Sequence, residues 1–424
     1  MRNPILLVCL AFILVVFAAL ESVAAPLRVG TGRADITPTA GKDTLTGMGG
    51  RPSVVDKIRD PLFANVIVFE QAEQKVALVS LDLIGVDDAV FDAVRDALAR
   101  DHGITQTLCA VTHTHGSGFF PEAMHGFLIE RTLQAAAEAV ASLEPARIGQ
   151  ADGDHNEGYN RRILNADGTV SMMWNNKDHV PSHPVDDTLG VISIRRLGDD
   201  STLATLVNYA VHPVISMNFD ELIISADWPG AMAREVEAAV GGRCVFLLGA
   251  AGDINPYEAD MFRYATADEV FAKVDEVGSR VAEAVLSTLE SIDTFQEDAA
   301  LAYDAYDIPM AMRADGPHAE KTREVELATF LVAQRFAVVT IPGELFVELG
   351  QDLRRRSPAE STWVMANAYR SSGYIPTMQA ACQGGYGAAW GTFLEFGAGE
   401  RLIHQALVSL HYQMDKVVPL RTGP

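Results

Sequence analysis

The pattern of hydrophobic and polar positions changes period along the chain, and this predicts strands that alternate with helices. Continuous apolar, β-branched runs are typical of buried strands, whereas apolar residues three and four positions apart are typical of helices. The predicted strands are 66–69, 76–81, 108–111, 203–211, 245–248 and 336–341. The predicted helices are 87–100, about 127–143, 229–240, 269–289 and 344–355.

This alternation over the whole length predicts an α/β fold, with a mixed sheet flanked by helices. Such sheets tend to place functional sites in the loops that leave the C-terminal ends of strands. The segment 152–187 is rich in Asn, Asp, Gly and His and has little periodicity. We therefore predict that it forms long loops or a lid, where functional side chains are often carried.

Residues 1–25 have the composition of a secretory signal peptide. A basic start at Arg2 precedes an apolar run over 5–20, and Val23-Ala24-Ala25 supplies the small residues of a cleavage site. The run is slightly short for a membrane-spanning helix, and no basic stop signal follows it. We expect cleavage after Ala25 and an exported protein, secreted or periplasmic, with no integral membrane segment. An uncleaved N-terminal anchor is the alternative.

The charge of the chain excludes some partners. The sequence has 56 acidic and 33 basic residues, a net charge of −23, and it has no block of Lys or Arg. This argues against nucleic acid and anionic membrane surfaces as main partners. Three cysteines follow the predicted signal peptide, Cys109, Cys244 and Cys382. They are too few for a disulfide framework, and their spacing does not suit a cysteine zinc site.

The strongest local signal for chemistry is the pair His113 and His115, which follows the predicted strand 108–111. On an extended backbone, residues two apart point to the same face, so both imidazoles can converge on one centre. Imidazole is the commonest metal ligand in proteins and carries protons near neutral pH. Taken alone, such a pair is more often solvated or hydrogen-bonded than a metal site.

Four other loops near strand ends carry reactive residues. They contain His212, the glycine-rich turn 249–256 with Asp253 and Asn255, Glu344, and the pair Tyr374 and Tyr386. Each has a structural alternative: a buried hydrogen-bonded histidine, a carboxylate that stabilises a helix N-terminus, or a core tyrosine. Spacing alone does not assemble these residues into one site, because they lie far apart in the sequence.

A resemblance does assemble them. In order and over essentially all of its mature length, the chain resembles the neutral/alkaline (non-lysosomal) ceramidase family. The landmarks are 30–38 (GTGRADITP), 79–82 (VSLD), 112–115 (THTH), 225–230 (SADWPG), Gly252-Asp253, Pro342-Gly343-Glu344 and Tyr374 with Tyr386. Each motif is modest, but so many in one order are hard to obtain by chance. The resemblance implies that residues 26–424 form a single catalytic domain.

The resemblance also implies a site with one zinc ion per chain. Its ligands would be His113, His212, Glu344 and Tyr374. Such a nitrogen and oxygen set suits Zn²⁺ with one position left for water. By the same resemblance, His115 would relay a proton to the leaving amine and Tyr386 would donate to the developing oxyanion. A substrate-contacting arginine would be Arg161 or Arg162, and a simple surface role for it is equally open.

Two features depart from the family pattern. Asn255 stands where the family carries a serine, and an amide cannot act as a nucleophile. Attack would then fall to water activated by the zinc ion. In addition, the chain ends at Pro424, with no room for the C-terminal immunoglobulin-like domain of longer ceramidases. Asn255 and Asp253 remain candidate catalytic residues in the glycine-rich turn.

We therefore expect a zinc-dependent hydrolase that cleaves the N-acyl bond of N-acylsphingosine or a related lipid amide. Apolar loop residues are available to line a groove beside the metal, although they could equally be core: Phe119, Phe120, Met124, Phe127, Met172, Met173 and Trp174. One alternative is a zinc hydrolase on the same scaffold that acts on another amide or ester. Another is a non-catalytic binding protein. The oligomeric state is left open.

Overall fold

The structure, a computed structural model, describes residues 25–418 apart from 49, 317 and 318. Except for Ala25, the predicted signal peptide lies outside the described residues. The strands are β1 (Arg28–Asp35), β2 (Thr44–Thr46), β3 (Pro52–Val54), β4 (Lys57–Ile58), β5 (Phe63–Gln71), β6 (Gln74–Leu81), β7 (Gln106–Val111), β8 (Glu144–Asp154), β9 (Gly158–Asn160), β10 (Arg162–Leu164), β11 (Val170–Met172), β12 (Thr188–Arg196), β13 (Thr202–Tyr209), β14 (Ile223–Ile224), β15 (Arg243–Leu248), β16 (Ile254–Pro256), β17 (Leu301–Ala311), β18 (Thr322–Val332), β19 (Phe336–Thr340), β20 (Glu344–Leu345), β21 (Ser361–Met365) and β22 (Tyr374–Ile375). The α-helices are α1 (Asp88–His102), α2 (His125–Ala141), α3 (Asp227–Val240), α4 (Ala267–Glu290), α5 (Val347–Arg356), α6 (Met378–Gln383) and α7 (Ala398–Gln413).

The largest sheet has eight strands in the order β15-β13-β12-β8-β1-β5-β6-β7. Most neighbours are antiparallel, but β6 pairs with β7, and β13 with β15, in parallel. The predicted mixed sheet is therefore confirmed. The hydroxyl of Ser80 in β6 donates a hydrogen bond of 3.1 Å to the carbonyl of Phe246 in β15. This bond connects β15, at one end of the sheet, with β6, which is next to the other end, so residues distant in sequence meet there.

A second sheet, with the order β17-β18-β19-β21, packs against one face of the first. The two sheets share an apolar layer in which the rings of Phe69 and Phe330 lie 5.3 Å apart. Gly190 of β12 lies beneath Trp363 of β21, and a Cβ there would be 2.4 Å from the indole nitrogen. The close contact of the two sheets at this point therefore requires glycine.

Helices cover the outer faces of both sheets. Helices α1 to α4 pack on the large sheet, and α5 and α7 pack on the small one. In helix α4, for example, valines three or four residues apart form the buried face that packs on the sheet, and a capping box of Thr266 and Glu269 begins the helix. In the described part of the chain, no helix is long and apolar enough to span a membrane.

One prediction about local structure was partly right and another was wrong. The segment 152–187 is mostly loop, as predicted, but β8 extends through Asp154 and the short strands β9, β10 and β11 follow. Glu344 does not begin a helix. It lies in the two-residue strand β20, and helix α5 begins at Val347. The pairing of β20 with β22 places Glu344 directly beside Tyr374.

Candidate active site

Most of the predicted site residues come from segments that follow four strands. His113 and His115 follow β7, His212 follows β13, the turn with Asn255 follows β15, and Glu344 follows β19. A backbone hydrogen bond joins two of these segments, since the N–H of His115 donates to the carbonyl of Pro213 at 2.9 Å. Chain segments a hundred residues apart therefore form one centre at strand C-terminal ends, as predicted.

Three histidines face one another at this centre. The ring centroids of His113, His115 and His212 are 4.9 to 5.6 Å apart. One ligand atom from each histidine lies within 4.8 Å of those of the other two, a spacing that could hold a metal ion. His113 adopts a left-handed backbone conformation, with φ of +64°. Such strain is uncommon outside glycine and often occurs at functional sites.

Backbone carbonyls fix the orientation of two of these rings. Nδ1 of His113 lies 2.6 Å from the carbonyl of Ile84, and Nδ1 of His212 lies 2.6 Å from that of Ala251. A carbonyl only accepts hydrogen bonds, so Nδ1 carries the proton in both rings. Each Nε2 then presents its lone pair to the centre, which is the arrangement of histidines that bind a metal.

Glu344 completes the centre. Its Oε2 lies 3.1 Å from Nε2 of His212 and 3.5 Å from Nε2 of His113. Among the described residues, neither Oε2 of Glu344 nor Nε2 of His212 has a hydrogen-bond partner, although both atoms are shielded from water. Leaving buried polar atoms unpaired is costly. A cation between these atoms would satisfy both, so the donor set fits a divalent metal.

Tyr374 lies against Glu344 and Arg161. Its hydroxyl accepts a hydrogen bond of 3.1 Å from Nη2 of Arg161. Burial raises the pKa of Tyr374 well above its usual value, and the neighbouring Glu344 carboxylate acts in the same direction. The rings of Tyr374 and Tyr386 are 5.1 Å apart. Both predicted tyrosines are therefore part of the same cluster.

The structure separates the roles of the two arginines. Arg161 is buried, and it donates to Oδ1 of Asn255 at 3.1 Å and to the carbonyl of Gly252 at 2.6 Å. Its guanidinium also lies 5.3 to 5.5 Å from the ring centroids of Trp174, Tyr374 and Tyr386. Arg162 instead donates to the carbonyl of Gly384 at 2.8 Å. Arg161 is thus the arginine at the candidate site.

Asp253 lies beside the site but faces away from it. Its Oδ1 accepts a hydrogen bond of 2.9 Å from the backbone N–H of Val347, and its Oδ2 accepts one of 2.8 Å from Nδ2 of Asn160. Both oxygens are therefore occupied, one of them at the first residue of α5. This position favours a structural role, whereas the sequence analysis proposed a catalytic one.

A cavity of about 310 Å³ opens beside the centre. It is lined by Met48, His115, Arg161, Trp174, Val214, Met217, Phe219, Asn255, Ala259, Asp260, Arg263, Tyr374 and Tyr386. Of the predicted groove residues, Trp174 lines it, whereas Phe120, Met124 and Phe127 pack against the core beneath α1 and α2. Val214, Met217 and Phe219 also line the cavity and were not predicted from the sequence, although they follow His212 within seven residues.

The protonation states at the centre suit metal binding. Burial lowers the pKa of His115 well below its usual value, with the adjacent histidines acting in the same direction, and burial also lowers the pKa of His212. Burial alone would raise the pKa of Glu344, but His113 and His212 outweigh it and hold that pKa well below its usual range. Neutral imidazoles and an ionised carboxylate are the forms that bind metals.

Fold and site together define an α/β protein with a candidate metal centre that opens onto a largely apolar cavity. Residues 27–246 match the family model of the neutral/alkaline non-lysosomal ceramidase, N-terminal region. The chain belongs to this family, and the resemblance seen in its motifs is confirmed.

Solved structures share the fold at low sequence identity. The crystal structure of neutral ceramidase from Pseudomonas aeruginosa is 17% identical, with a TM-score of 0.77 over 94% of this chain and 76% of that chain. A ceramidase solved in complex with C2 is 18% identical, with a TM-score of 0.76 over 94% of this chain and 77% of that chain. No curated protein sequence matches the chain.

Proposed function

We propose that the protein is a zinc-dependent amide hydrolase that cleaves the N-acyl bond of N-acylsphingosine or a related lipid amide. In this proposal His113, His212, Glu344 and Tyr374 hold one zinc ion. The observation that carries it is the pair of shielded atoms, Oε2 of Glu344 and Nε2 of His212, that lack hydrogen-bond partners within the described residues. Family membership supports the reaction class, and the predicted signal peptide supports export of the protein.

When bound, a zinc ion supplies Lewis acidity and activates water at neutral pH. The protein holds the imidazoles in the required tautomer, because Ile84 and Ala251 accept the Nδ1 protons of His113 and His212. The indole N–H of Trp228 donates to the carbonyl of His212 at 3.3 Å and helps to fix that backbone. The ligands are therefore held in place before the substrate binds.

His115 carries the proton in the proposed reaction. It lines the cavity, and burial lowers its pKa, which favours the neutral form that can accept a proton from the attacking water. Its Nε2 is 3.4 Å from Nε2 of His113, which places the ring beside the metal ligands. It then donates the proton to the leaving amine, as general acid–base catalysis requires.

Tyr386 and Arg161 bind the polar part of the substrate. The hydroxyl of Tyr386 is the proposed donor to the developing oxyanion, and Arg161 orients the substrate from the same wall of the cavity. Asn255 accepts a hydrogen bond from Arg161 and thereby fixes the guanidinium. Since Asn255 cannot be a nucleophile, the attacking group is water.

The substrate class follows from the cavity walls. Met48, Trp174, Val214, Met217 and Phe219 supply apolar surface, while Arg161, Asn255, Tyr374 and Tyr386 form a polar cluster beside the histidines. Pockets that combine apolar walls with a few convergent polar groups are typical of small-molecule sites. An amide with an apolar chain fits both parts of this cavity.

The test is release of the free amine from N-acylsphingosines in detergent micelles, followed by mass spectrometry. We expect turnover that a chelator removes and added zinc restores, and that His212→Ala abolishes. His404→Ala is the matched control, because His404 is exposed on α7. Turnover that survives chelation and His212→Ala would refute the ligand set. No turnover of any acyl amide with zinc present would favour the binding-protein alternative.

A further inference from the structure

Three exposed aromatic side chains border the mouth of the cavity. The exposed fractions of Trp174, Phe219 and Tyr264, which we call the aromatic rim, are 39%, 45% and 56%. Trp174 and Phe219 also line the cavity. The hydroxyl of Tyr264 accepts a hydrogen bond of 2.9 Å from Nδ2 of Asn175, the residue after Trp174. The three side chains therefore form one apolar border around the entrance.

The chain holds these aromatic side chains out toward solvent. Phe219 lies at the tip of a turn in which Oδ1 of Asn218 accepts hydrogen bonds from the N–H groups of Asp220 and Glu221, at 2.8 and 3.2 Å. Its ring packs against Phe262, with centroids 4.9 Å apart. Clustered exposed apolar side chains beside a cavity commonly mark an interaction surface.

The charges at the mouth of the cavity indicate which kind of lipid surface the aromatic rim would bind. Arg263 and Asp260, which line the cavity, form an ion pair at 2.6 Å, and the exposed residues Asp220 and Glu221 next to Phe219 are acidic, so this pair leaves no net positive charge to attract anionic lipid. The chain as a whole carries −23 and is repelled by anionic lipid. A zwitterionic headgroup layer has no such penalty, and Trp and Tyr side chains favour the level of the headgroups.

If the proposed function holds, the size of the cavity also favours a lipid surface as the partner. A volume of about 310 Å³ is at the small end of the range for drug-sized ligands. A lipid amide with two long chains is larger, so part of it must remain outside, next to the rim. We propose that the aromatic rim docks on the surface of a zwitterionic phospholipid bilayer and holds the cavity mouth against the lipid.

Flotation with phosphatidylcholine vesicles tests this docking. We expect the parent protein to float with these vesicles and to bind vesicles rich in phosphatidylserine less well. Phe219→Ser/Tyr264→Ser should weaken binding to phosphatidylcholine at least about tenfold, because two aromatic contacts with lipid are lost. The control is Tyr412→Ser, since Tyr412 is 62% exposed but lies at the far end of α7. Equal binding of parent and double variant would overturn the proposal, as would a preference for anionic vesicles.

Tryptophan quenching by brominated phosphatidylcholine locates the contact. Trp228 and Trp363 are buried, so Trp174 and Trp390 are the exposed indoles of the described residues. We expect quenching of the parent that disappears in Trp174→Phe and persists in Trp390→Phe. Quenching that depends on Trp390 alone would place the lipid on another surface and contradict the rim.

Docking and catalysis are separable in these experiments. The rim does not include the proposed metal ligands, so His212→Ala should float as the parent does. A protein that hydrolyses micellar amides but does not float would refute the rim alone. A protein that floats but hydrolyses no amide would refute the proposed function and leave the docking surface intact.

Discussion

Oε2 of Glu344 and Nε2 of His212 lie 3.1 Å apart, and within the described structure neither atom makes a hydrogen bond. Burial lowers the pKa of His212 and so favours the neutral ring, whose one proton lies on Nδ1 and is donated to the carbonyl of Ala251 at 2.6 Å. A lone pair therefore faces an ionised carboxylate across a shielded gap. Without a cation the two atoms repel each other and lack hydrogen bonds, whereas a cation between them would be bound by both. This difference is the basis of the proposed metal centre.

The first prediction concerns the charge of Glu344. Glu344→Gln keeps the shape of the side chain but removes its negative charge, so zinc affinity should fall at least about 100-fold. A competition titration against a chromophoric chelator measures this. Glu348→Gln is the control, because Glu348 is exposed on α5. Unchanged affinity in Glu344→Gln would exclude Glu344 as a ligand.

The second prediction concerns Asn255. Asn255→Ala removes the hydrogen bond to Arg161 and should lower kcat/KM about tenfold or more, since hydrogen bonds to charged groups contribute roughly 1.5–3 kcal/mol. The zinc content should stay the same, because Asn255 is not a proposed ligand. Asn255→Ser should behave like Asn255→Ala unless its hydroxyl reaches Arg161. Loss of zinc from Asn255→Ala would contradict the positioning role.

The third prediction separates the adjacent arginines. Arg161→Lys should lower kcat/KM by about 100-fold, because one ammonium cannot replace the fork that binds Asn255, Gly252 and Tyr374. Arg162→Lys should stay within about threefold of the parent, since Arg162 contacts the backbone outside the cavity. Thermal unfolding of both variants checks that folding is retained. A greater loss of activity in Arg162→Lys would reverse the assignment.

The fourth prediction is a pH dependence of stability. Asp227 is fully buried, and burial raises its pKa to about 6 although Ser216 and the N–H of Trp228 donate hydrogen bonds to it. The native state therefore binds a proton that the unfolded state releases above about pH 4. This contribution stabilises the native state as the pH falls through 6, by roughly 1–2 kcal/mol between pH 7.5 and 5.

His115 and His212 act in the opposite direction, because their lowered pKa values make acid favour the unfolded state below about pH 6.5. The measurement is therefore a difference: the free energy of unfolding in urea for the parent minus that for Asp227→Asn, at several pH values. The difference should rise as the pH falls from 7.5 to 5. A constant or falling difference would show that Asp227 is not the titrating group.

The sequence predicted the fold class because buried strands such as β5, β6 and β15 are continuous apolar runs. It did not predict the hairpin of β17 and β18, in which β17 carries the half-buried Asp304 and Tyr306 and the exposed Asp307. These polar residues interrupt the apolar run that marks a strand. Helix α7 was also missed, although its buried face is regular, because glycine at its start gave no capping signal.

From residue types and spacing alone, the site could be predicted only as a set of candidates, which the family resemblance then assembled. His113 and His115 were found from their spacing, but their meeting with His212 and Glu344 depends on tertiary contacts between distant strands. Asp253 is an example of a role that the sequence alone did not predict correctly. An acid in a glycine-rich turn suggests chemistry, whereas its carboxylate accepts a hydrogen bond from the N–H of Val347, the first residue of α5, which favours a structural role. Likewise, adjacent Arg161 and Arg162 differ only in which way the backbone directs them.

The most direct test of the metal centre is the metal content of protein purified without chelator, measured by elemental mass spectrometry beside the His212→Ala variant. The proposed ligand set predicts about one zinc ion per chain in the parent and none in the variant. A parent that holds no zinc, even after zinc is added back, would contradict the centre formed by His113, His212, Glu344 and Tyr374.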